Sequence, residues 1–188
     1  MVKLLKIQKE MEQTLEQYNE TVKNALPIIK EKSSHTAYAW RLHKVSDITK
    51  MLWIFTQRIR ELEECKHPSK DCEEDFFNLL NYGVIALIQL NSSKELSGNI
   101  NEDTFLSLYC REIETTRNLM EDKNHDYGEA WRKMRISSIT DLILMKILRV
   151  QQIEKNNGHT IISEPVDANY RDIVNYAIFA LIKIKEET

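Results

Sequence analysis

Residues 37–64, AYAWRLHKVSDITKMLWIFTQRIRELEE, return 91 positions later as residues 128–155, GEAWRKMRISSITDLILMKILRVQQIEK. The shift follows from Trp40 and Trp131, because 131 minus 40 is 91. The same shift aligns Tyr18 with Tyr109, Lys32 with Lys123, Arg41 with Arg132, Ser46 with Ser137, Ile48 with Ile139, Thr49 with Thr140, Arg58 with Arg149, and Glu63 with Glu154. Since polar residues and tryptophans match as well as apolar ones, the sequence indicates a duplication rather than two amphipathic helices that look alike.

The duplication continues towards the carboxyl end of each copy. NYGVIALIQL at 81–90 matches NYAIFALIKI at 175–184, where the shift has grown to 94, so the second copy has gained three residues in a loop. Between the copies lies NSSKELSGNINED, residues 91–103, which is rich in the Ser, Asn and Gly typical of linkers. We predict one helical repeat over residues 1–95 and a second over residues 96–188, packed together into one bundle.

The composition favours helices over sheets. The 188 residues include only 4 Gly and 3 Pro, fewer turn residues than a sheet protein of this size needs. Hydrophobic residues make up 42% and charged residues 29%, which is within the globular range. We therefore predict an all-α bundle of two pseudo-symmetric repeats. Each copy is expected to begin with a long first helix, at about 3–31 and 102–123, followed by a short second segment around the matched tryptophan. A third helix starts at Asp47 or Ser138 as N-cap, and a fourth covers 73–91 or 167–186.

The composition also limits the partners. A net charge of −3 gives no overall attraction to long nucleic acids or to anionic membranes, although a nucleotide needs only a few local cations. No apolar run approaches the roughly 20 residues of a membrane span, and the charged amino-terminal stretch lacks a signal-peptide core. The three cysteines lack a disulfide framework spacing, so we expect reduced thiols in a cytoplasmic protein. Cys65, His67 and Cys72 are a weak zinc alternative without a fourth ligand.

Two cations interrupt the apolar pattern of the third helix in copy two. Lys146 lies on the apolar stripe at the position where copy one has Phe55, and Arg149 follows one turn later. A buried lysine is costly unless it is paired or faces a ligand. Two cations on adjacent turns suit a bound phosphate; alternatively, their stems are buried and their charged ends reach water.

The fourth helix of each copy is mostly apolar but carries a polar stripe. The stripe consists of Asn169, Asp172 and Tyr176 beside Asn175 in copy two, and of Asp75, Asn78 and Tyr82 beside Asn81 in copy one. The acid and the amide have thus exchanged places between the copies. Carboxylates at this spacing suit a divalent cation with oxygen ligands. The alternative is a buried hydrogen-bond network between the two copies.

A third feature, Asp126-Tyr127-Gly128, precedes Trp131 in copy two. Glycine permits a sharp turn into the short helix, and Asp126 is a candidate N-cap for it. Copy one has His35-Thr36-Ala37 at these positions and lacks the motif. Copy two is therefore the chemically richer half, and we predict the working site there.

The stretch KNHDYGEAWRKMRISSITDLILMKILRVQQIE, followed by DANYRDIVNYAIFALI, resembles the first class of nucleotide-modification-associated domains. The resemblance covers essentially the whole chain as two tandem copies. Its marks are the Asp-Tyr-Gly…Trp segment, the Ser-x-Thr-Asp helix start, the Lys-x-x-Arg pair and the Asn-Tyr near the end. The resemblance implies a nucleotide as ligand.

A more distant likeness is to the MazG-like, all-helical nucleoside triphosphate pyrophosphohydrolases, which bind magnesium through clustered carboxylates. This likeness implies that Lys146 and Arg149 act on the phosphates beside a magnesium ion, and that Tyr127 or Trp131 stacks on the base. The implied metal ligands are Asp172, Glu112 and Asp141; the implied catalytic residues are Asp172, Lys146 and Arg149; and the substrate-binding residues are Asp126, Tyr127, Trp131, Asn175 and Tyr176. The sequence departs from that group, because Asn169-x-x-Asp172 keeps only half of its Glu-x-x-Asp element and its Glu-x-x-Glu element is absent.

The sequence thus predicts a nucleotide-binding protein, with magnesium-dependent pyrophosphohydrolysis as its leading activity. One alternative is a non-enzymatic module that binds a nucleotide or a modified base. Another is a helical scaffold in which the polar stripes fix the packing of the two halves. A homodimer is compatible with each of these interpretations.

Overall fold

The computed structural model describes residues 2–35, 44–67, 69–92, 101–127, 129–156 and 165–187, with the backbone alone at 2–8, 32–35 and 123–127. Within these ranges the chain forms six α-helices and two 3-10 turns, and no strand is present. The helices are α1 (Val2–His35), α2 (Val45–Glu64), α3 (Glu73–Asn91), α4 (Glu102–Tyr127), α5 (Ile136–Lys155) and α6 (Val166–Glu187), with 3-10 turns at Ser69–Cys72 and Ala130–Lys133. The predicted all-α fold is confirmed. No described helix combines the length and apolar character needed to cross a membrane.

Both predicted N-caps, Asp47 and Ser138, are wrong by one turn. Helix α2 is capped at Lys44, whose backbone N–H donates to Asp47 Oδ2 at 3.4 Å, and helix α5 is capped at Arg135. The physical reason is burial, since the first residue of α5, Ile136, already packs in the core. The apolar face therefore extends each helix one turn upstream of the polar residue that suggested a cap.

The six helices form three layers of two, and each layer holds one helix from each copy. Helices α2 and α5 form one outer layer, α3 and α6 the central layer, and α1 and α4 the other outer layer. The central helices are buried on nearly every side, which explains why their sequences are mostly apolar. They approach closely at Gly83, where a Cβ atom would lie 2.7 Å from Val174 Cγ2.

The copies exchange buried hydrogen bonds through aligned residues. In one direction Tyr18 on α1 donates to Asn175 Oδ1 on α6 at 2.9 Å. In the other direction Tyr109 on α4 donates to Asn81 Oδ1 on α3 at 2.7 Å. Burial raises the pKa of both tyrosines well above the ordinary value, so both hydroxyls remain protonated donors. Helix α1 of copy one is therefore bound to α6 of copy two, and α4 of copy two is bound to α3 of copy one.

The layer of α2 and α5 shows the same reciprocity. Thr49 donates to Glu154 Oε1 at 2.7 Å, and its counterpart Thr140 donates to Glu63 Oε1 at 2.9 Å. Because the early part of each helix meets the late part of the other, α2 and α5 run antiparallel. The two copies are thus related by an approximate twofold axis, and their aligned polar residues are interface residues.

Replacing Tyr18 or Tyr109 by Phe tests this interface. Each variant leaves a buried asparagine oxygen without its donor, so we expect the free energy of unfolding to fall by about 1–3 kcal/mol in each. Urea denaturation measures the change. Tyr82→Phe is the control, because that half-buried ring packs on Phe55, and we expect a loss of less than about 0.5 kcal/mol. Wild-type stability in both interface variants would contradict the interpretation.

Candidate cationic site in copy two

Lys146 is held by a carboxylate on the neighbouring helix. Its Nζ lies 2.8 Å from Asp172 Oδ2, which joins α5 to α6. The lysine side chain is 24% exposed, whereas that of Asp172 is only 8% exposed. Lys146 therefore neither lies unpaired in the core nor extends freely into water, and its side chain is partly accessible from solvent.

Copy one places its ion pair one turn away from this position. There Arg58 Nη1 lies 3.3 Å from Asp75 Oδ1, while the positions of the copy-two ion pair hold Phe55 and Asn78. Helices α2 and α3 are antiparallel, and so are α5 and α6. One turn towards the amino end of α5 therefore corresponds to one turn towards the carboxyl end of α6. The acid and the cation are thus displaced together by one turn between the copies. Among the described residues, Arg58 and Asp75 join α2 to α3, and Lys146 and Asp172 join α5 to α6.

In copy two, Arg149 has no carboxylate partner among the residues that the structure describes. Arg149 is the counterpart of Arg58, but Asn169 stands where copy one has Asp75. The Nη1 of Arg149 donates to Gln152 Oε1 at 2.9 Å on the solvent side. Its Nη2 is shielded from solvent and has no hydrogen-bond partner in the part of the chain that the structure describes. Copy two therefore carries a guanidinium whose charge is not compensated as in copy one.

The amide of Asn169 is also incompletely satisfied. The side chain is fully buried and its Nδ2 donates to the carbonyl of Pro165 at 3.3 Å, but Oδ1 has no donor among the described residues. Such buried, unsatisfied groups are uncommon and often mark functional positions. Lys146, Arg149, Asn169 and Asp172 are called the cationic site below.

A second buried ion pair lies on the far side of α6. Glu112 on α4 accepts hydrogen bonds from Arg171 Nη2 at 3.0 Å and from Asn91 Nδ2 at 3.2 Å. Arg171 Nη1 also donates to Thr116 Oγ1 at 3.1 Å. The sequence did not lead us to Arg171, although the alignment of copy one with copy two shows a difference at this position. Copy one has Phe77 at this position, so an aromatic residue has become a cation, as at Lys146.

The predicted metal ligands do not converge on one point. Asp172 is paired with Lys146 and Glu112 with Arg171, while Asp141 is exposed on α5. Across the described ranges, no group of three or more His, Cys, Asp or Glu side chains is arranged to hold a metal. Paired in this way, these donors do not form a magnesium site among the described residues, and the magnesium ion stays a prediction.

Among the predicted substrate-binding residues, Trp131 lies in the core. Its ring stacks on Phe179 at a centroid distance of 4.3 Å, and the guanidinium of Arg132 lies 4.4 Å from its centroid. The indole is buried, and its Nε1 has no hydrogen-bond partner among the described residues. These contacts use the ring for packing, and stacking on a base stays a prediction.

The remaining predicted residues separate into two groups. Asn175 is bound to Tyr18 in the interface between the copies, and Tyr176 is half-buried against the core. The side chains of Asp126 and Tyr127 lie outside the described residues. Their backbone shows that Asp126 is not the predicted cap, because α4 continues to Tyr127 and the following 3-10 turn is capped at Glu129.

The residues of the weak zinc alternative lie at the end of α2 and in the first 3-10 turn. Cys65 is exposed, His67 Nδ1 lies 3.0 Å from Asp71 Oδ2, and Cys72 is buried. Burial raises the pKa of the Cys72 thiol to about 11, so it is protonated at neutral pH. His67 and Cys72 also line a cleft of about 300 Å³ with Glu63. A thiol must lose its proton to bind zinc, so the raised pKa makes Cys72 a poor zinc ligand.

Comparison with known families adds to this geometry. The profile of the family described as nucleotide modification associated domain 1 matches residues 35–90 and 123–184. These segments, of 56 and 62 residues, cover more than half of the 188. The chain belongs to this family. The first segment covers α2 and all but the last residue of α3, and the second covers α5 and most of α6, in agreement with the duplication. The second segment includes the whole cationic site. No curated protein and no solved structure matches the chain.

The contribution of the buried Glu112–Arg171 pair to stability can be tested by installing the residues that copy one has at the aligned positions. Arg171→Phe alone strands a buried carboxylate, and we expect it to lower the free energy of unfolding by about 3–5 kcal/mol. The double variant Glu112→Thr/Arg171→Phe installs the residues of copy one, Thr21 and Phe77, and should recover most of that loss. Urea denaturation of both variants measures the difference. Equal destabilisation would show that the cost is steric rather than electrostatic.

Proposed function

We propose that this protein binds a nucleotide through the cationic site of copy two. The observation that carries the proposal is that Arg149 has no carboxylate partner among the described residues, whereas its counterpart Arg58 lies 3.3 Å from Asp75 in copy one. Membership in a nucleotide modification associated family supports a nucleotide as the anion.

The chemistry of the site suits a phosphate group. A guanidinium recognises phosphate through two parallel hydrogen bonds, and these charge-assisted bonds are roughly twice as strong as neutral ones. Arg149 has one bond to Gln152 on the solvent side, and its shielded Nη2 has an unused donor that a phosphate oxygen would satisfy once the side chain turned towards solvent. Lys146 adds a second cation one turn away, and both side chains are partly accessible from water.

The proposal is for binding rather than hydrolysis. Pyrophosphohydrolysis needs carboxylates that hold a metal and a water, but Asp172 and Glu112 are each already paired with a cation. A buried carboxylate with a close cationic partner loses stabilisation when that partner is displaced. The described residues therefore support a site that recognises a nucleotide more directly than one that cleaves it.

Giving Arg149 a carboxylate partner tests the site without removing a cation. Asn169→Asp recreates the Arg58–Asp75 arrangement of copy one, so the fold should tolerate it and nucleotide binding should weaken at least about tenfold, since a close like charge costs more than 1.4 kcal/mol at low dielectric. A thermal-shift screen with nucleoside mono-, di- and triphosphates, with and without magnesium, identifies the ligand. Isothermal titration then measures its affinity.

Asp75→Asn in copy one is the matched control. It removes the carboxylate partner of Arg58 at the aligned position but does not touch the cationic site, so the affinity measured for wild type should be retained. If no nucleotide raises the melting temperature of the wild-type protein, or if Asn169→Asp binds as wild type does, the proposed site is wrong.

The double variant Lys146→Phe/Asp172→Asn provides a second test. It replaces the copy-two ion pair by the Phe55 and Asn78 of copy one, so stability should change by less than about 1.5 kcal/mol. Nucleotide affinity should nevertheless fall, because one of the two cations is lost. Retained affinity at wild-type stability would assign the ion pair to packing alone.

A further inference from the structure

We propose that two chains of this protein associate through the outer face of α2 and α5, with each of these helices antiparallel to the same helix of the second chain. The outer face is the side of this layer that points away from α3 and α6. Three exposed apolar residues, Ile54, Met145 and Leu148, lie at its centre, and charged residues lie at its two ends. This surface is separate from the buried contacts between the copies, and the proposal does not depend on nucleotide binding.

The centre of the outer face is apolar although it is exposed. Among the described residues four large hydrophobic side chains are exposed, and three of them lie here: Ile54 is 48% exposed, Met145 64% and Leu148 46%. Ile54 follows the fully buried Leu52 by two positions, and at 3.6 residues per turn it therefore points away from the core. Met145 has the same relation to the buried Ile143. A group of exposed apolar side chains on one face is typical of an interaction site.

Two charge differences between the copies give the ends of the outer face opposite signs. Lys50 aligns with Asp141, and Glu64 aligns with Lys155; all four side chains are exposed. Because α2 and α5 run antiparallel, Lys50 and Lys155 lie together at a basic end, and Glu64 and Asp141 lie together at an acidic end. The other charged residues near the ends do not change these signs: Lys44, Asp47 and Glu154 at the basic end, and Arg60, Glu61, Glu63 and Arg135 at the acidic end. The remaining cations of the two helices lie near mid-length: Arg58, Lys146 and Arg149.

This charge pattern is complementary to itself in one of two arrangements. Two identical faces pack about a twofold axis that lies in the plane of contact. If the axis runs across the helices, the basic end of each chain meets the acidic end of the other. If it runs along the helices, ends of like charge meet, which is unfavourable. Charge complementarity therefore selects the antiparallel arrangement, in which Lys155 of one chain lies near Asp141 of the second chain.

The outer face is large enough for a weak dimer. Helices α2 and α5 each have 20 residues and are therefore about 30 Å long. Two adjacent helices of about 10 Å diameter give a face of about 600 Å². Two such faces together bury about 1,200 Å², which is the lower limit for a specific interface. We therefore expect a dimer that dissociates on dilution rather than a permanent one.

Sedimentation velocity over a series of protein concentrations, from about 1 to about 500 μM, tests the association. We expect the wild-type chain to change from monomer to dimer within this range. Met145→Glu places a charge at the centre of the contact, and we expect it to weaken dimerisation at least about tenfold. Leu119→Glu is the matched control, because Leu119 is 41% exposed on α4 in the opposite outer layer, and it should dimerise as the wild type does. A wild-type chain that stays monomeric throughout, or equal dimerisation of the two variants, overturns the proposal.

Exchanging the charges of α5 tests the antiparallel arrangement. Asp141→Lys or Lys155→Glu alone gives both ends of α5 the same charge, so we expect each to weaken dimerisation about threefold or more. The double variant Asp141→Lys/Lys155→Glu reverses both ends and should regain much of the wild-type dimerisation. Circular dichroism checks that all three variants are folded. Single variants that dimerise as well as the wild type or better, or a double variant no better than the single ones, contradict the antiparallel arrangement.

Discussion

The exchange of buried polar contacts between the two copies is the constraint on which the structure depends. Tyr18 and Tyr109 each donate to the asparagine of the opposite copy, so neither copy completes its buried hydrogen bonds alone. A buried amide without its partner costs about 1–3 kcal/mol, which favours joint folding of the copies over two separate domains. Helices α3 and α6 are thereby fixed at the centre, and α2 and α5 can pack only on their remaining side.

The central position of α3 and α6 restricts where a charged side chain can lie on them. The two buried acids of these helices, Asp75 on α3 and Asp172 on α6, each need a cation on the helix beside them. Copy one meets this requirement with Asp75 and Arg58, and copy two meets it one turn away with Asp172 and Lys146. Copy two nevertheless keeps the arginine of the abandoned position. Because Asn169 stands at the position of Asp75, Arg149 has no such carboxylate partner among the described residues.

Hydrophobic periodicity and the internal repeat predicted the fold because both can be recognised from the sequence of single helices. The fourth helices, expected at 73–91 and 167–186, are Glu73–Asn91 and Val166–Glu187. The N-caps were wrong because burial of Ile136 and its neighbours is a tertiary effect that outweighs local capping. The pairs Lys146–Asp172 and Arg171–Glu112 were not predicted, since their members lie on different helices. Aligning the copies reveals both, because each cation replaces a phenylalanine and each acid replaces a neutral residue.

These paired replacements separate the roles of the copies. At the two aligned positions copy one has Phe55 and Phe77, whereas copy two has a lysine and an arginine, each with a new carboxylate on a neighbouring helix. Buried ion pairs contribute little net stability compared with apolar residues of similar size, so copy two is the less favourable half in packing terms. The apolar counterparts in copy one and the interface between the copies offset this cost. The two copies therefore keep one fold, although copy two carries charged pairs at positions where copy one has apolar or neutral residues.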